Sequence, residues 1–147
     1  MAAKITKTVT IKLPKAQVFA TLSDFRKMAQ FGSGVSKVKQ VSGPNVGIGA
    51  KYHTEGKILG RNVIGKMEVI AYDPPNAITI KGVFANVPYE DRMTLKSVES
   101  ATQLTLSDTS SPSGFFKTFN FIYRAMLTWY INHDLKNLKK HLETKLS

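Results

Sequence analysis

Phe115-Phe-Lys-Thr-Phe-Asn-Phe-Ile-Tyr-Arg-Ala-Met-Leu-Thr-Trp-Tyr-Ile-Asn-His-Asp-Leu-Lys-Asn-Leu-Lys-Lys-His-Leu-Glu-Thr-Lys145 contains neither proline nor glycine, so no residue in it breaks a helix outright. At 1.5 Å per residue it predicts a helix roughly 45 Å long, enough to cross a whole sheet. Ser110-Ser-Pro-Ser-Gly114 precedes it and offers Ser111 or Ser113 as N-cap. Ile131, Leu135, Leu138 and Leu142 make one narrow apolar stripe, whereas Met126 falls roughly on the opposite side of an ideal helix from Leu135. Seven of the fourteen aromatic residues crowd between Phe115 and Ile131. Either the helix bends, or its first half lines a pocket with one side and meets a lid, partner or membrane with another. Burial on all sides is the plain alternative.

Upstream, Ile5, Val9, Ile11 and Leu13 alternate with Thr6, Thr8, Thr10 and Lys12, the period of a half-buried strand that only Lys7 breaks. Pro14 suits a helix start, and Val18, Phe19, Leu22 and Phe25 recur at helical spacing. After a joint at Phe31-Gly-Ser-Gly34 come six short segments, Val35–Val41, Ala50–Ile58, Val63–Tyr72, Ala77–Phe84, Pro88–Val98 and Thr102–Thr109, separated by brief turn signals. Links this short favour antiparallel neighbours. The prediction is an α+β fold: one curved antiparallel sheet of about seven strands, one or two short helices after the first strand, and a long C-terminal helix that the sheet wraps.

That order resembles the START/SRPBCC superfamily, the helix-grip fold of polyketide cyclase/dehydrase and lipid-transport type that also includes the birch pollen allergen. Gly43-Pro-Asn-Val-Gly-Ile-Gly-Ala-Lys-Tyr52 is similar to that family's Gly-rich link into its third strand. Ala71-Tyr-Asp-Pro-Pro-Asn76 resembles its proline turn, and Leu135-Lys-Asn-Leu-Lys-Lys-His-Leu-Glu143 its helix ending. The resemblance covers nearly the whole chain and implies the fold. Its functional range, from lipid carriers and cyclases to hormone receptors and a ribosome-association toxin, supplies no invariant catalytic motif.

The 147 residues, 42% of them hydrophobic, predict a single domain over 1–147 with a real core. The absence of cysteine excludes a disulfide scaffold, a thiolate nucleophile and Cys-ligated metal centres, and fits a cytoplasmic location. Lysines at positions 4 and 7 leave no apolar run for a secretion signal, and Lys117, Asn120 and Arg124 interrupt the most apolar stretch before it reaches membrane-spanning length. The net charge of +11 is uneven: residues 1–68 carry twelve basic and three acidic side chains, residues 69–147 nine and seven.

Gly43, Gly47 and Gly49 lack the Lys-Ser/Thr of a phosphate loop and join strand to strand, which leaves a flexible rim or a plain hairpin turn. On Val87–Val98 the odd positions Val87, Tyr89, Met93 and Leu95 form the apolar side, and Asp91 lies among them. Desolvation there would raise its pKa and suit it to general acid/base work, as a cyclase or dehydratase requires. Alternatively a bulge or strand end lets it reach solvent or pair with Arg92 or Arg124. Asp108, in register with Leu104 and Leu106 but near a strand end, reads as a turn acceptor. His53 falls on a solvated face, and His133 and His141 lack zinc-helix spacing, so neither a metal nor a cofactor is expected.

The leading expectation is binding or transport of a hydrophobic small molecule, such as a lipid, isoprenoid, quinone or aromatic polyketide, in a cavity between sheet and C-terminal helix. Its lining would comprise Tyr52, Tyr89, Arg92, Met93, Phe119, Tyr123, Met126 and Tyr130, with Asp91 catalytic if the protein is instead a polyketide cyclase/dehydratase-type enzyme using the same cavity. Lys37, Lys39, Lys51, Lys57, Arg61 and Lys66 would gather on one positive face. That face and the aromatics near Phe115 favour an anionic membrane surface over a ribosome or RNA partner, because single-strand recognition wants rings beside the lysines. Oligomeric state is not legible in the sequence.

Overall fold

The computed structural model describes residues 3–30, 35–44, 46–58 and 60–145. The expected joint at Phe31–Gly34 lies outside them, as do Asn45 and Leu59 of two expected links and the side chain of Phe115. The threonine alternation forms β1 (Ala3–Ile11), which buries Ala3, Ile5 and Ile11 and exposes Thr6, Thr8 and Thr10. Lys7 keeps the inward parity and is half-buried. Pro14, extended at φ −61° and ψ 149°, starts α1 (Lys15–Leu22), whose Val18, Phe19 and Leu22 are buried. The helical face expected to run through Phe25 is split: α1 stops at Leu22, and Phe25 reaches the core from a 3-10 turn over Phe25–Gln30. Between them Asp24 fastens the chain by accepting the Arg26 backbone N–H at 3.2 Å and its guanidinium at 2.8 and 2.9 Å.

The six short segments become β2 (Val35–Ser42), β3 (Lys51–Ile58), β4 (Arg61–Asp73), β5 (Ala77–Phe84), β6 (Val87–Val98) and β7 (Ala101–Ser110). All pairings are antiparallel, in the order β1-β7-β6-β5-β4-β3-β2, so the first strand closes on the last. Gly82 permits the close approach of β4 and β5, since a Cβ there would run into the Lys66 carbonyl oxygen.

The C-terminal stretch is not one helix. It divides at Phe119 into α2 (Phe115–Thr118) and α3 (Asn120–Lys145), and the Phe119 carbonyl accepts the N–H groups of Ile122 at 3.0 Å and Tyr123 at 3.3 Å. No proline or glycine marks this break. α3 runs alongside β1 in the same direction: Arg124 Nη2 donates to the Lys4 carbonyl at 3.3 Å, Lys139 Nζ to the Thr10 carbonyl at 2.6 Å, and the Lys12 N–H to Glu143 Oε2 at 2.8 Å. From Arg124 to Lys139 a helix rises about 22 Å and from Lys4 to Thr10 a strand advances about 20 Å, which is why the two ladders stay in step. The helix contributes Ile131, Leu135, Leu138 and Leu142 to a core shared with Ile5, Ile11, Leu104 and α1.

Candidate functional site

The two-residue hairpin that pairs Val98 with Ala101 fixes the register of β6 on β7, and that register sets Asp91 directly opposite Asp108. Period-2 alternation then sends both side chains to the inner face, in a row that reads Ile5, Asp108, Asp91, Ile80 and Val69 across five strands. One neighbouring row holds Lys7, Leu106 and Met93; the other holds Ala3, Ser110 and Tyr89. The pair thus sits between two mostly apolar rows, broken by Lys7 and Ser110, on the face that α3 partly covers.

Asp108 is 6% exposed and Asp91 is half-buried, and the buried Oδ1 of each has no hydrogen-bond partner other than the facing carboxyl. Burial above all raises the Asp91 carboxyl well above the usual carboxylate range; its hydrogen bond with Asp108 and the like charges of Asp108 and Asp134 of α3 add to the effect. Burial also raises the Tyr89 hydroxyl, helped by both aspartates. The Tyr123 hydroxyl is raised by burial as well, against the opposing effect of its 2.5 Å hydrogen bond to Ser110 Oγ. Such a pair can retain a proton where ordinary carboxylates have lost theirs.

The structure brings Tyr89, Asp91, Met93 and Tyr123 together around this row, with Met126 and Tyr130 half-buried on the same helix as Tyr123. It separates the other expected lining residues. Arg92 alternates onto the outer face, opposite Thr79 and Ser107, and is exposed; the same alternation that turns Asp91 inward turns its neighbour out. Tyr52 shares a row with Tyr89 but lies three strands away, about 14 Å, where it is 1% exposed against the edge of Phe25. Phe119 sits in the turn before α3, 40% exposed and 6.4 Å from Phe121.

Asp108, read from sequence as a turn acceptor, is instead half of the buried pair, and Ser110 and Asp134 join it unanticipated. The signal for Asp108 was available: a two-residue turn at Glu99-Ser100 pairs residues at a constant sum, which matches Asp91 with Asp108.

Two depressions open elsewhere. One, about 420 Å³, lies between α1 and the β4–β5 turn and is lined by Phe19, Ala20, Tyr72, Pro74 and Pro75. The other, about 350 Å³, lies on the outer face around Lys51, His53, Lys66, Lys81 and Val83. The opening expected between sheet and α3 is neither of these; Tyr89, Met93, Leu106 and Leu127 pack against the core on that side. On the outer face Lys39, His53 and Lys66 form one row, and Lys51, Glu68 and Lys81 another, with Lys37 opposite Glu55. Arg61, paired with Ile58, has the other parity, so the basic face forms without it and with acids interleaved. Among the described residues no set of three or more His, Asp or Glu side chains could hold a metal ion, and no helix is long and apolar enough to cross a membrane.

Comparison with solved structures places the same architecture in proteins of low identity. The Zhui aromatase/cyclase of Streptomyces sp. R1128 superposes with a TM-score of 0.80 at 15% identity, over 100% of this chain and 97% of the other. A protein of Thermus thermophilus gives 0.83 at 14% identity, over 99% and 100%. A START superfamily protein of Mycobacterium smegmatis gives 0.76 at 15%, over 96% and 97%. At such identities the likeness establishes the helix-grip fold alone. A comparison with curated proteins finds no match. Residues 2–143 match the family described as polyketide cyclase / dehydrase and lipid transport, and the chain belongs to that family.

Proposed function

We propose that the chain binds a hydrophobic small molecule, of the lipid, isoprenoid, quinone or aromatic polyketide kind, between the inner face of β1, β7 and β6 and the first half of α3. The uneven fastening of that helix carries the reading. Ile131, Leu135, Leu138 and Leu142 anchor its second half in the core, whereas among its described residues before Ile131 only Tyr123 is buried. A ligand that displaces the first half therefore breaks two side-chain hydrogen bonds, Tyr123 to Ser110 and Arg124 to the Lys4 carbonyl, and few packed contacts, and it meets Tyr89, Met93, Leu106 and Met126. Extraction of the purified protein followed by mass spectrometry should return an apolar compound, and a naphthalene-type probe should bind the emptied protein. No extracted compound together with no probe binding would refute the reading.

A cyclase/dehydratase-type enzyme is the second reading, because Asp91 is the kind of proton-holding acid that works at carbon beside a carbonyl. On that reading Asp91→Asn abolishes turnover of a polyketide substrate while the substrate still binds. For partners, we favour an anionic membrane over RNA. Phe119, Phe121, Ile122 and Trp129 are exposed close to the exposed Lys117 and Arg124, with no acid between Asp108 and Asp134. Co-sedimentation with anionic vesicles but not with ribosomes, at low and moderate salt, is the expected result, in keeping with a cytoplasmic protein.

A further inference from the structure

We propose that the basic groove on the outer face of β2–β5 seats a short acidic segment of another protein, one that carries aliphatic side chains among its Asp and Glu residues.

Strand parity makes the groove. Two outward-facing rows of side chains cross β3, β4 and β5, and the depression of about 350 Å³ runs between them over the backbone of Tyr52, Met67 and Gly82. Lys51, Glu68 and Lys81 form one wall; His53, Lys66 and Val83 form the other, which Lys39 of β2 extends. From β2 to β5 the groove is about 14 Å long, the span of about four residues of extended chain.

Charge complementarity is the first support. The four lysines meet one carboxylate, Glu68, and none of these five side chains is in an ion pair or hydrogen bond with another described residue. A concave patch with such an excess of one sign gathers ligands of the other. The second support is what lies among the lysines. Val41, in the bulge of β2, and Val83 flank the groove at 44% and 41% exposed, and Ile64, two residues from Lys66 on the same face, is 75% exposed. Tyr52, Tyr72 and Phe84 all take the inward parity, so nucleic-acid bases find no ring to stack on. A bare phosphate chain would leave the aliphatic groups uncovered, whereas acidic and aliphatic side chains on one segment answer both. Position is the third support. Because α3 lies on the inner face, a bilayer that takes its exposed Phe121 and Trp129 is on the far side of the sheet, and the groove stays open to a different partner.

Fluorescence anisotropy with a labelled peptide, Glu-Leu-Asp-Glu-Val-Asp, tests the assignment against the same peptide with serine in place of leucine and valine. At low salt the wild-type protein should bind the first at least about tenfold more tightly, since two aliphatic side chains separate them. Lys66→Glu/Lys81→Glu should lower that affinity at least about tenfold. Lys136→Glu/Lys140→Glu, an equal change of net charge at exposed positions of α3, should leave it unaltered. Lys39→Glu alone should weaken binding in the same direction, which keeps the test decisive if the groove double variant fails to fold. Binding of neither peptide would overturn the proposal. Equal affinity for the two peptides would overturn it in favour of a surface for any polyanion, and equal losses in the two double variants in favour of net charge alone. Tighter binding of a DNA duplex, or a parallel loss of binding to anionic vesicles in Lys66→Glu/Lys81→Glu, would overturn it too, by making the groove the seat of a nucleic acid or of the membrane. The small-molecule reading stands or falls separately, on its own extraction and probe-binding result.

Discussion

Asp91→Asn should make the protein more stable at neutral pH, which is the reverse of the usual result for a buried polar residue. Desolvation and the facing carboxyl raise the Asp91 pKa in the folded chain above its unfolded value. The folded state therefore holds more protons than the unfolded state across the window between the two values. The stability linked to this group is fully present below the unfolded pKa and is lost as pH rises toward the folded one, at about 1.4 kcal/mol per pH unit. For 147 residues, at about 2.1 cal/mol/K of unfolding entropy per residue, each such unit corresponds to roughly 4 °C in Tm. Asparagine keeps the shape, cannot hold the extra proton, and offers the facing Asp108 an amide donor. Calorimetric Tm values for wild type and variant, taken from about pH 4 to about pH 7, should start close together and diverge at that slope in the variant's favour. The difference curve isolates the site, because Asp24 and Glu143, held low by Arg26 and by Lys139, titrate in both proteins. Parallel curves, or a variant less stable throughout, would show that Asp91 is ionised in the fold and refute the argument.

Removing the hydroxyl that ties α3 to β7, by Tyr123→Phe, should cost about 1 kcal/mol in denaturant unfolding and should speed amide exchange in residues 120–130 far more than in 131–142. Leu142→Ala, at a side chain with no exposure, should cost about 2 to 5 kcal/mol by the same denaturation assay. Gly82→Ala should be more damaging than its size suggests, because the added methyl meets backbone rather than a flexible side chain; soluble yield and Tm should both fall. Asp24→Asn should destabilise by about 1 kcal/mol at neutral pH, and the gap should close as pH drops through the lowered pKa of Asp24, since its stabilisation exists only while the carboxylate is charged.

The strands were legible because alternation, turn residues and link length all report the same local geometry. The predicted Ala77–Phe84 segment coincides with β5, and the others end within a few residues of the observed strands. The break at Phe119 was not, since no residue type there opposes a helix and the boundary depends on what the flanking rings meet, as Phe116 meets Tyr123 at 5.7 Å. The inward turn of Asp91 followed from parity, and the same parity should have excluded Arg92 from the inner face. Nearness to a strand end suggests a turn acceptor at Asp108, but the hairpin register, not the strand end, decides what that side chain faces. Asp134 could not be placed from spacing alone, because its relation to Asp91 depends on how α3 lies against β1. Lys7, an interruption in an otherwise regular pattern, proved to mark the inner face one row from the carboxyls.

The return of β1 to lie beside β7 also imposes an order on the ribosome. Ile11 emerges early, but its partner Thr102 is made only after some ninety further residues, a wait of roughly 5 to 18 seconds at ordinary elongation rates. Each later hairpin from β2 to β6 can zip as soon as its second strand appears, so the nascent sheet grows from what becomes the far edge toward the near one. Through that interval the amino-terminal segment, with Ile5, Val9 and Ile11 uncovered, is an adhesive end without a mate. Substitutions that slow β7 or shorten α3 should therefore reveal themselves first as losses during synthesis, caught by chaperones or aggregates, before any weakness of the finished protein can be measured.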